Sequence, residues 1–364
     1  MPTDSDTPLH LCLLGDATSP HVQRWASEML ARNYRVSVIT ARPAAIDGVV
    51  VKELTPVRRS AQWLLRVGEA RRHVAALAPD ILHAHYITSY GYLAARCGRH
   101  PLVMTAWGSD LLVTPQANPW MRWLTGWVLR QADLITGDSG SLVTAAQHLH
   151  PRCPVLEIHW GVDRARFRPT PWTQKPGVHL VSLRAWESNY NIDTIVGAVA
   201  LLRTRLAPLD VRLHLLGGGS MEQALRNLAR SSGVEDSVVF HGRLDDAGMA
   251  RVLSNAKISV SVPTSDATSV AMLESMASGL AVVATRLQAN AHWIDRQWLV
   301  SPRNPRALAD ILEKLITTDG LAEQVGMQNA SRIASDGDRS VQMDRMHALY
   351  QQLRRRALNT PNVH

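Results

Sequence analysis

A chain of 364 residues with 46% hydrophobic and 19% charged residues is long enough for two domains and too apolar to be disordered. Its formal net charge of +8 comes from 35 arginines and four lysines, which favours an anionic partner; with no basic run interleaved with aromatics, no nucleic acid is expected. No window reaches the ~18 to 20 consecutive apolar residues of a membrane span, the opening MPTDSDTP does not read as a secretion signal, and Cys12, Cys97 and Cys153 show no metal-ligand spacing, so a soluble cytoplasmic protein is expected.

Short β-rich runs alternate with longer segments of helical period, and they do so twice. The first predicted strands are Leu9–Gly15, Val36–Thr40, Val49–Leu54, Ile81–Tyr86, Leu102–Ala106, Leu134–Thr136 and Val155–His159. The second set is Val178–Leu183, Val211–Leu216, Val238–His241, Ile258–Val262 and Ala281–Ala284. Between them, Gly161–Gly177 carries Pro169, Pro171 and Pro176 without any period and reads as the linker. Ile192, Ile195, Val196, Val199 and Leu202 form one helical stripe that a sheet can cover. The expected fold is α/β, two Rossmann-like doubly wound parallel-sheet domains, residues 1–168 and 169–335, with ligands bound beyond the carboxyl ends of the strands in the cleft between them.

The most informative segment is Pro263–Thr285, PTSDATSVAMLESMASGLAVVAT. A loop with Asp266, Thr268 and Ser269 opens a helix that carries Glu274. Thr268 reads as the cap, and the free amides of Ser269 and Val270 suit a diphosphate. The two acidic residues stand eight positions apart, the second followed by Ser275-Met276-Ala277-Ser278-Gly279. This pattern resembles the family 4 retaining glycosyltransferases of the GT-B superfamily (glycosyl transferases group 1). The resemblance extends to Asp133–Ser139, Gly161-Val162-Asp163 with Phe167 and Pro169, Leu215–Gly219 and Phe240-His241-Gly242.

The resemblance implies that Glu274 binds the donor ribose and that Asp266, where the family usually has Glu, meets the transferred sugar. It places Arg184 on the donor diphosphate; the lysine expected five positions later is Asn189, with Tyr190 beside it. Gly217 and Gly218, in a glycine run, hold phosphate or allow close packing, and His241-Gly242-Arg243-Leu244 matches the segment whose main chain pairs with the nucleobase. In the first domain, Gly15 and His21 lie in the loop near phosphate and acceptor. Trp107 stands where many members carry histidine, with Asp110 three residues on; His21, Trp107 and Asp110 form the expected acceptor and sugar side. Residues 336–364, with a helix over Arg339–Arg354, are implied to pack back on the first domain.

The activity so implied is transfer of a sugar from a UDP- or GDP-linked donor to a small-molecule, glycan or lipid acceptor. It is a front-face reaction needing neither metal nor cofactor. The missing lysine and histidine keep a non-catalytic nucleotide-sugar-binding protein of the same architecture as the alternative, together with an epimerase or phosphorylase. Trp120, Trp123 and Trp127 have helical spacing and read as packing residues. Arg58, Arg59, Arg66, Arg71 and Arg72 read as one helix, either a solvated face or a weak contact with anionic membrane.

Overall fold

Strands buried on both faces need apolar residues at nearly every position, and this chain supplies them in each half. The computed structural model describes residues 8–266 and 268–359. These fall into two compact units, one formed by the described residues up to Trp160 and from Val341 onward, the other by Gly161–Ser340.

The first unit holds β1 (His10–Leu14), β2 (Arg35–Thr40), β3 (Val50–Glu53), β4 (Ile81–His85), β5 (Leu102–Ala106), β6 (Leu134–Gly137) and β7 (Val155–Glu157). They form one parallel sheet in the order β3-β2-β1-β4-β5-β6-β7. Along β1 the side chains alternate between two cores: Leu11 and Leu13 pack with Trp25, Met29 and Tyr350, whereas Cys12 and Leu14 pack with Leu82, Ala84 and Met104.

The Arg339–Asn359 helix brings Met343, Met346 and Tyr350 into the first of these cores. Burying a tyrosine there requires partners for its hydroxyl. Trp25 Nε1 donates to it at 3.0 Å and His83 Nδ1 lies 2.6 Å away; His83 Nε2 meets Thr105 Oγ1, which meets Thr136 Oγ1. A buried polar chain thus crosses β4, β5 and β6 and ends on the C-terminal helix.

The second unit holds β8 (Val178–Ser182), β9 (Val211–Leu216), β10 (Val238–Gly242), β11 (Ile258–Ser261), β12 (Ala281–Thr285) and β13 (Leu299–Val300). All neighbours are parallel, in the order β10-β9-β8-β11-β12-β13. The predicted stripe Ile192 to Leu202 is buried in its core. Both sheets reverse strand order beside their first strand, at β1/β4 and β8/β11, and a crevice opens at the carboxyl ends of such a pair.

Three expectations are corrected. Gly161–Gly177 is not a free linker: Val162 and Phe167 sit in the second core and Pro169 packs on Gly279, so the chain divides after Trp160 and again after Ser340 rather than at 168 and 335. The short strand β13 was not expected, since two residues show no period. The Arg58–Arg72 stretch is not one α-helix but a 3-10 turn over Ser60–Arg66 followed by an α-helix over Val67–Leu77, with Arg58 and Arg59 ahead of both.

Tyr350→Phe removes the hydroxyl and leaves the Trp25 and His83 nitrogens short of a partner. It should lower unfolding free energy by about 1–3 kcal/mol, read from the urea midpoint at unchanged m-value. The exposed Leu358→Ala should leave the midpoint in place.

Candidate functional site

In the second unit the adjacency of β8 and β11 brings the loop after β8 against the loop after β11. Arg184 leaves the end of β8, and its guanidinium donates to the Asp266 carboxylate at 2.5 Å and to Ser269 Oγ. The ring of Tyr190 stacks on the guanidinium, 4.4 Å from Cζ to centroid. Arg184 Nε is buried and has no acceptor among the described residues, so the guanidinium keeps an unused donor. Ser269, not Thr268, is the cap of the Val270–Ala277 helix: its Oγ accepts from Met272 N at 3.3 Å. The amides of Val270 and Ala271 stand in the first turn, where a helix offers no acceptor of its own. Glu274, in the same helix, is 3% exposed.

Asn189 does not extend toward this cluster. Its amide donates to Ser265 O at 2.8 Å and accepts from Ser265 N at 3.2 Å, while its carbonyl takes Thr264 N at 2.8 Å. It pins the loop that carries Asp266, and is no substitute for a phosphate-binding lysine.

The glycine run serves close approach. A Cβ on Gly217, whose φ is +156°, would stand 2.3 Å from Arg184 O; one on Gly219 would stand 2.4 Å from Trp186 O. Glu187 already fills the helix entrance that follows: Ser220 N and Oγ donate to its carboxylate at 2.8 and 2.5 Å, and these bonds hold its pKa below the ordinary range. Gly218 lies against the Arg243 side chain, and Gly242 O accepts from Gly217 N at 2.8 Å, so β10 is tied to the same loop. His241 forms a ladder with His214 and His179, with nitrogen separations of 2.9 and 3.0 Å; Leu244 is exposed.

In the first unit, β1 ends at Gly15, where a Cβ would stand 2.9 Å from Val22 Cγ2. Asp16 closes a turn by accepting from Thr18 N and Oγ1 and pairs with Arg42 at 3.3 Å. Ser19 caps the Pro20–Ala31 helix, and the ring of the half-buried His21 in its first turn lies 5.5 Å from Trp107 and 4.5 Å from Trp160. Asp110, expected on the acceptor and sugar side, is engaged by the main chain. It is fully buried and accepts from the amides of Trp107, Gly108 and Ile87 at 3.0, 2.9 and 2.8 Å. Burial pushes its carboxyl upward and these amides oppose the shift.

Two groups escaped the sequence reading. His83 and His85 alternate on β4, and this His-Ala-His spacing is the signal that places both on one face. His85 Nδ1 accepts from Trp107 Nε1 at 3.4 Å, so the ring proton belongs on Nε2, which is buried and unpartnered among the described residues. Of the tryptophans on the Pro119–Leu129 helix, Trp127 packs against the core as its spacing predicts, whereas Trp120 and Trp123 do not: they are 63% and 54% exposed and stack on each other at 4.9 Å. The sequence holds two Asp-x-Asp pairs, a spacing that can hold a metal ion. Asp4-Ser5-Asp6 lies outside the described residues; in Asp336-Gly337-Asp338, Asp338 pairs with Arg164 at 3.2 Å and accepts from Ser340 N.

Residues 10–139 match the sequence family described as glycosyl transferase 4-like, and residues 177–318 match glycosyl transferases group 1. The chain is 24% identical over 264 residues to N-acetyl-alpha-D-glucosaminyl L-malate synthase of Bacillus anthracis, covering 68% of each chain. It is 27% identical over 283 residues to D-inositol 3-phosphate glycosyltransferase of an Arthrobacter species, covering 71% of this chain and 66% of that one. In fold it is similar to sucrose-phosphate synthase of Thermosynechococcus elongatus, with a TM-score of 0.79 at 17% identity over 95% of this chain and 99% of that one. Anabaena HepE in complex with UDP and glucose gives 0.76 at 15% identity over 94% and 99%.

Burial takes the His85 pKa down to about 3, against 6.5 for an ordinary imidazole. Between those values the unfolded chain binds the proton and the native chain does not, so stability falls as pH drops below about 6.5, by up to about 1.4 kcal/mol per unit from this group. Urea midpoints between pH 7.5 and 5 should therefore fall less steeply for His85→Gln than for the native chain; parallel slopes would show that the imidazole is not held neutral.

Proposed function

The chain belongs to the glycosyltransferases, with a 4-like N-terminal region and a group 1 C-terminal region, and on that premise we propose that it moves a sugar from a UDP- or GDP-linked donor to an acceptor hydroxyl with retention of configuration. The observation that carries the reading is Arg184, held at the β8/β11 switch point by Asp266, Ser269 and Tyr190 with a donor to spare. A planar guanidinium fixed in this way can donate its remaining N–H groups to phosphate oxygens.

In this reading the second unit holds the donor and the first holds the acceptor. Arg184 and the first-turn amides of the Val270–Ala277 helix meet the diphosphate, Glu274 takes the ribose hydroxyls, and the main chain of His241 to Leu244 faces the base. Asp266 acts on Arg184 as a positioning residue; its carboxylate is already engaged there rather than open to the sugar. The bond from the sugar C1 to the phosphate oxygen breaks and its electron pair leaves with the nucleoside diphosphate. The acceptor oxygen bonds to C1 from the same face, and its proton passes to the departing phosphate. The protein stabilises charge that grows on the leaving group and holds the reactants in place. The chemistry requires no metal, and EDTA should leave turnover unchanged.

Steady-state kinetics with UDP- and GDP-sugars should separate two losses. Glu274→Gln should raise donor KM by about one to two orders of magnitude, because a ribose contact is equal in ground and transition states. Arg184→Gln should lower kcat by a similar factor, with Arg184→Lys restoring part of it. Donor binding and turnover insensitive to both changes in folded proteins would remove the nucleotide from this loop.

A further inference from the structure

The first unit contains a cavity of about 1040 Å³ whose lining, Trp107 apart, has no role in the reaction described above. Its floor lies at the carboxyl ends of β1, β2, β4 and β5, where Asp16, Arg42, His85 and Trp107 line it. Its walls are aromatic and aliphatic. Trp63 and Leu64 come from the Ser60–Arg66 turn, and Trp120, Trp123 and Trp127 from the Pro119–Leu129 helix. Leu64, Trp120 and Trp123 are more than half exposed, which is costly unless something covers them. The charged lining is one-sided. Arg42, Arg58, Arg59 and Arg96 stand against the single carboxylate of Asp16, and that carboxylate pairs with Arg42; Arg58, Arg59 and Arg96 have no ion pair among the described residues.

A second observation points the same way. The floor keeps a buried hydrogen-bond donor, His85 Nε2, without a partner among the described residues. The imidazole stays neutral, and Trp107 holds its other nitrogen as the acceptor. A satisfied protein interior does not leave such a group idle.

We infer that this cavity is the acceptor site and that the acceptor is an amphipathic anion. It would have an extended apolar body, aromatic or isoprenoid, lying against Trp63, Leu64, Trp120 and Trp123, an acidic head meeting Arg58 and Arg59, and an oxygen that meets His85 Nε2 once the side chains covering this fully buried group part. Pockets of ~300–1,000 Å³ hold ligands of drug size, so a small polar acceptor would leave most of this one unfilled. The inference rests on the glycosyltransferase reading for the word acceptor, but the binding chemistry stands on the cavity alone.

Two fluorescent probes of nearly equal shape test it: 1-anilinonaphthalene-8-sulfonate, which carries an acidic group, and N-phenyl-1-naphthylamine, which does not. The native chain should bind the sulfonate saturably at one site. Trp120→Ala with Trp123→Ala should weaken both probes at least tenfold. Arg58→Gln with Arg59→Gln should weaken the sulfonate at least fivefold and the neutral probe less than twofold. All four positions are exposed, and thermal melts within about 2 °C of the native chain verify folding. Sulfonate binding unchanged by the tryptophan changes, or equal loss of both probes in the arginine variant, would overturn the proposal. So would failure of the sulfonate to saturate while the chain sediments with phosphatidylglycerol vesicles and both variants release it, since the face would then dock on membrane. UDP and GDP binding, followed by calorimetry on the same proteins, should be unaffected by these variants. Absence of nucleotide binding in the native chain would count against the donor reading and leave the probe result standing.

Discussion

Parallel strands covered on both faces leave no room for unpaired polarity along their length, and this constraint organises everything else in the two units. Polar side chains within the strands find partners, as His10 does with Ser37 at 2.9 Å and Ser259 with Ser275 at 2.9 Å, and the buried strand atoms left without one among the described residues, His85 Nε2 and Ser182 Oγ, stand at the last positions of β4 and β8. Chemistry is therefore displaced to the carboxyl ends, where strands give way to loops and helix N-termini. Arg184, Asp266 and Ser269 converge because β8 and β11 are neighbours, although 82 residues separate Arg184 from Asp266.

In the second unit several polar groups hold the site together rather than face a ligand. Asn189 secures the Asp266 loop, Glu187 occupies the entrance to the Glu222–Ser231 helix, and the glycines let the chain pass against Arg184 and Trp186. Among the described residues of this loop, the groups the proposed donor phosphate would use are a guanidinium with an unused Nε–H and the first turn of the Val270–Ala277 helix. A charge fixed in advance by Asp266 and Tyr190 loses little entropy when a phosphate arrives. In the proposed reading Asp266 and an incoming phosphate would compete for the same cation, and part of the binding energy would go into rearranging that pair.

The first unit divides its histidines and acids by the same logic. His83 is consumed by Tyr350 and Thr105, which ties the C-terminal helix to the sheet, whereas His85 one pleat further along has a nitrogen unassigned. Asp110 is taken up by three amides. The aromatic residues split likewise: Trp25 is packed beneath the C-terminal helix, while Trp120 and Trp123 stack on each other in the open.

By itself the sequence determined the fold class, the two sheets and the family, because these rest on local period and on residues close together in the chain. Strand runs, the Ile192–Leu202 stripe and the Asp266 to Glu274 spacing are all of that kind. Where an element stops was less legible: Gly161–Gly177 has the composition of a linker, yet Val162 and Phe167 are core, a fact that depends on which surface lies nearby. Only the tertiary structure decided which groups are free. Asn189, Asp110 and Asp266 have the chemistry of ligands, but residues distant in sequence or main-chain amides already engage them; Trp120 and Trp123 have core spacing, but no partner covers them. The physical reason is that a side chain's availability is set by what else comes within hydrogen-bonding or van der Waals reach, and strand order, not sequence spacing, brings those neighbours together.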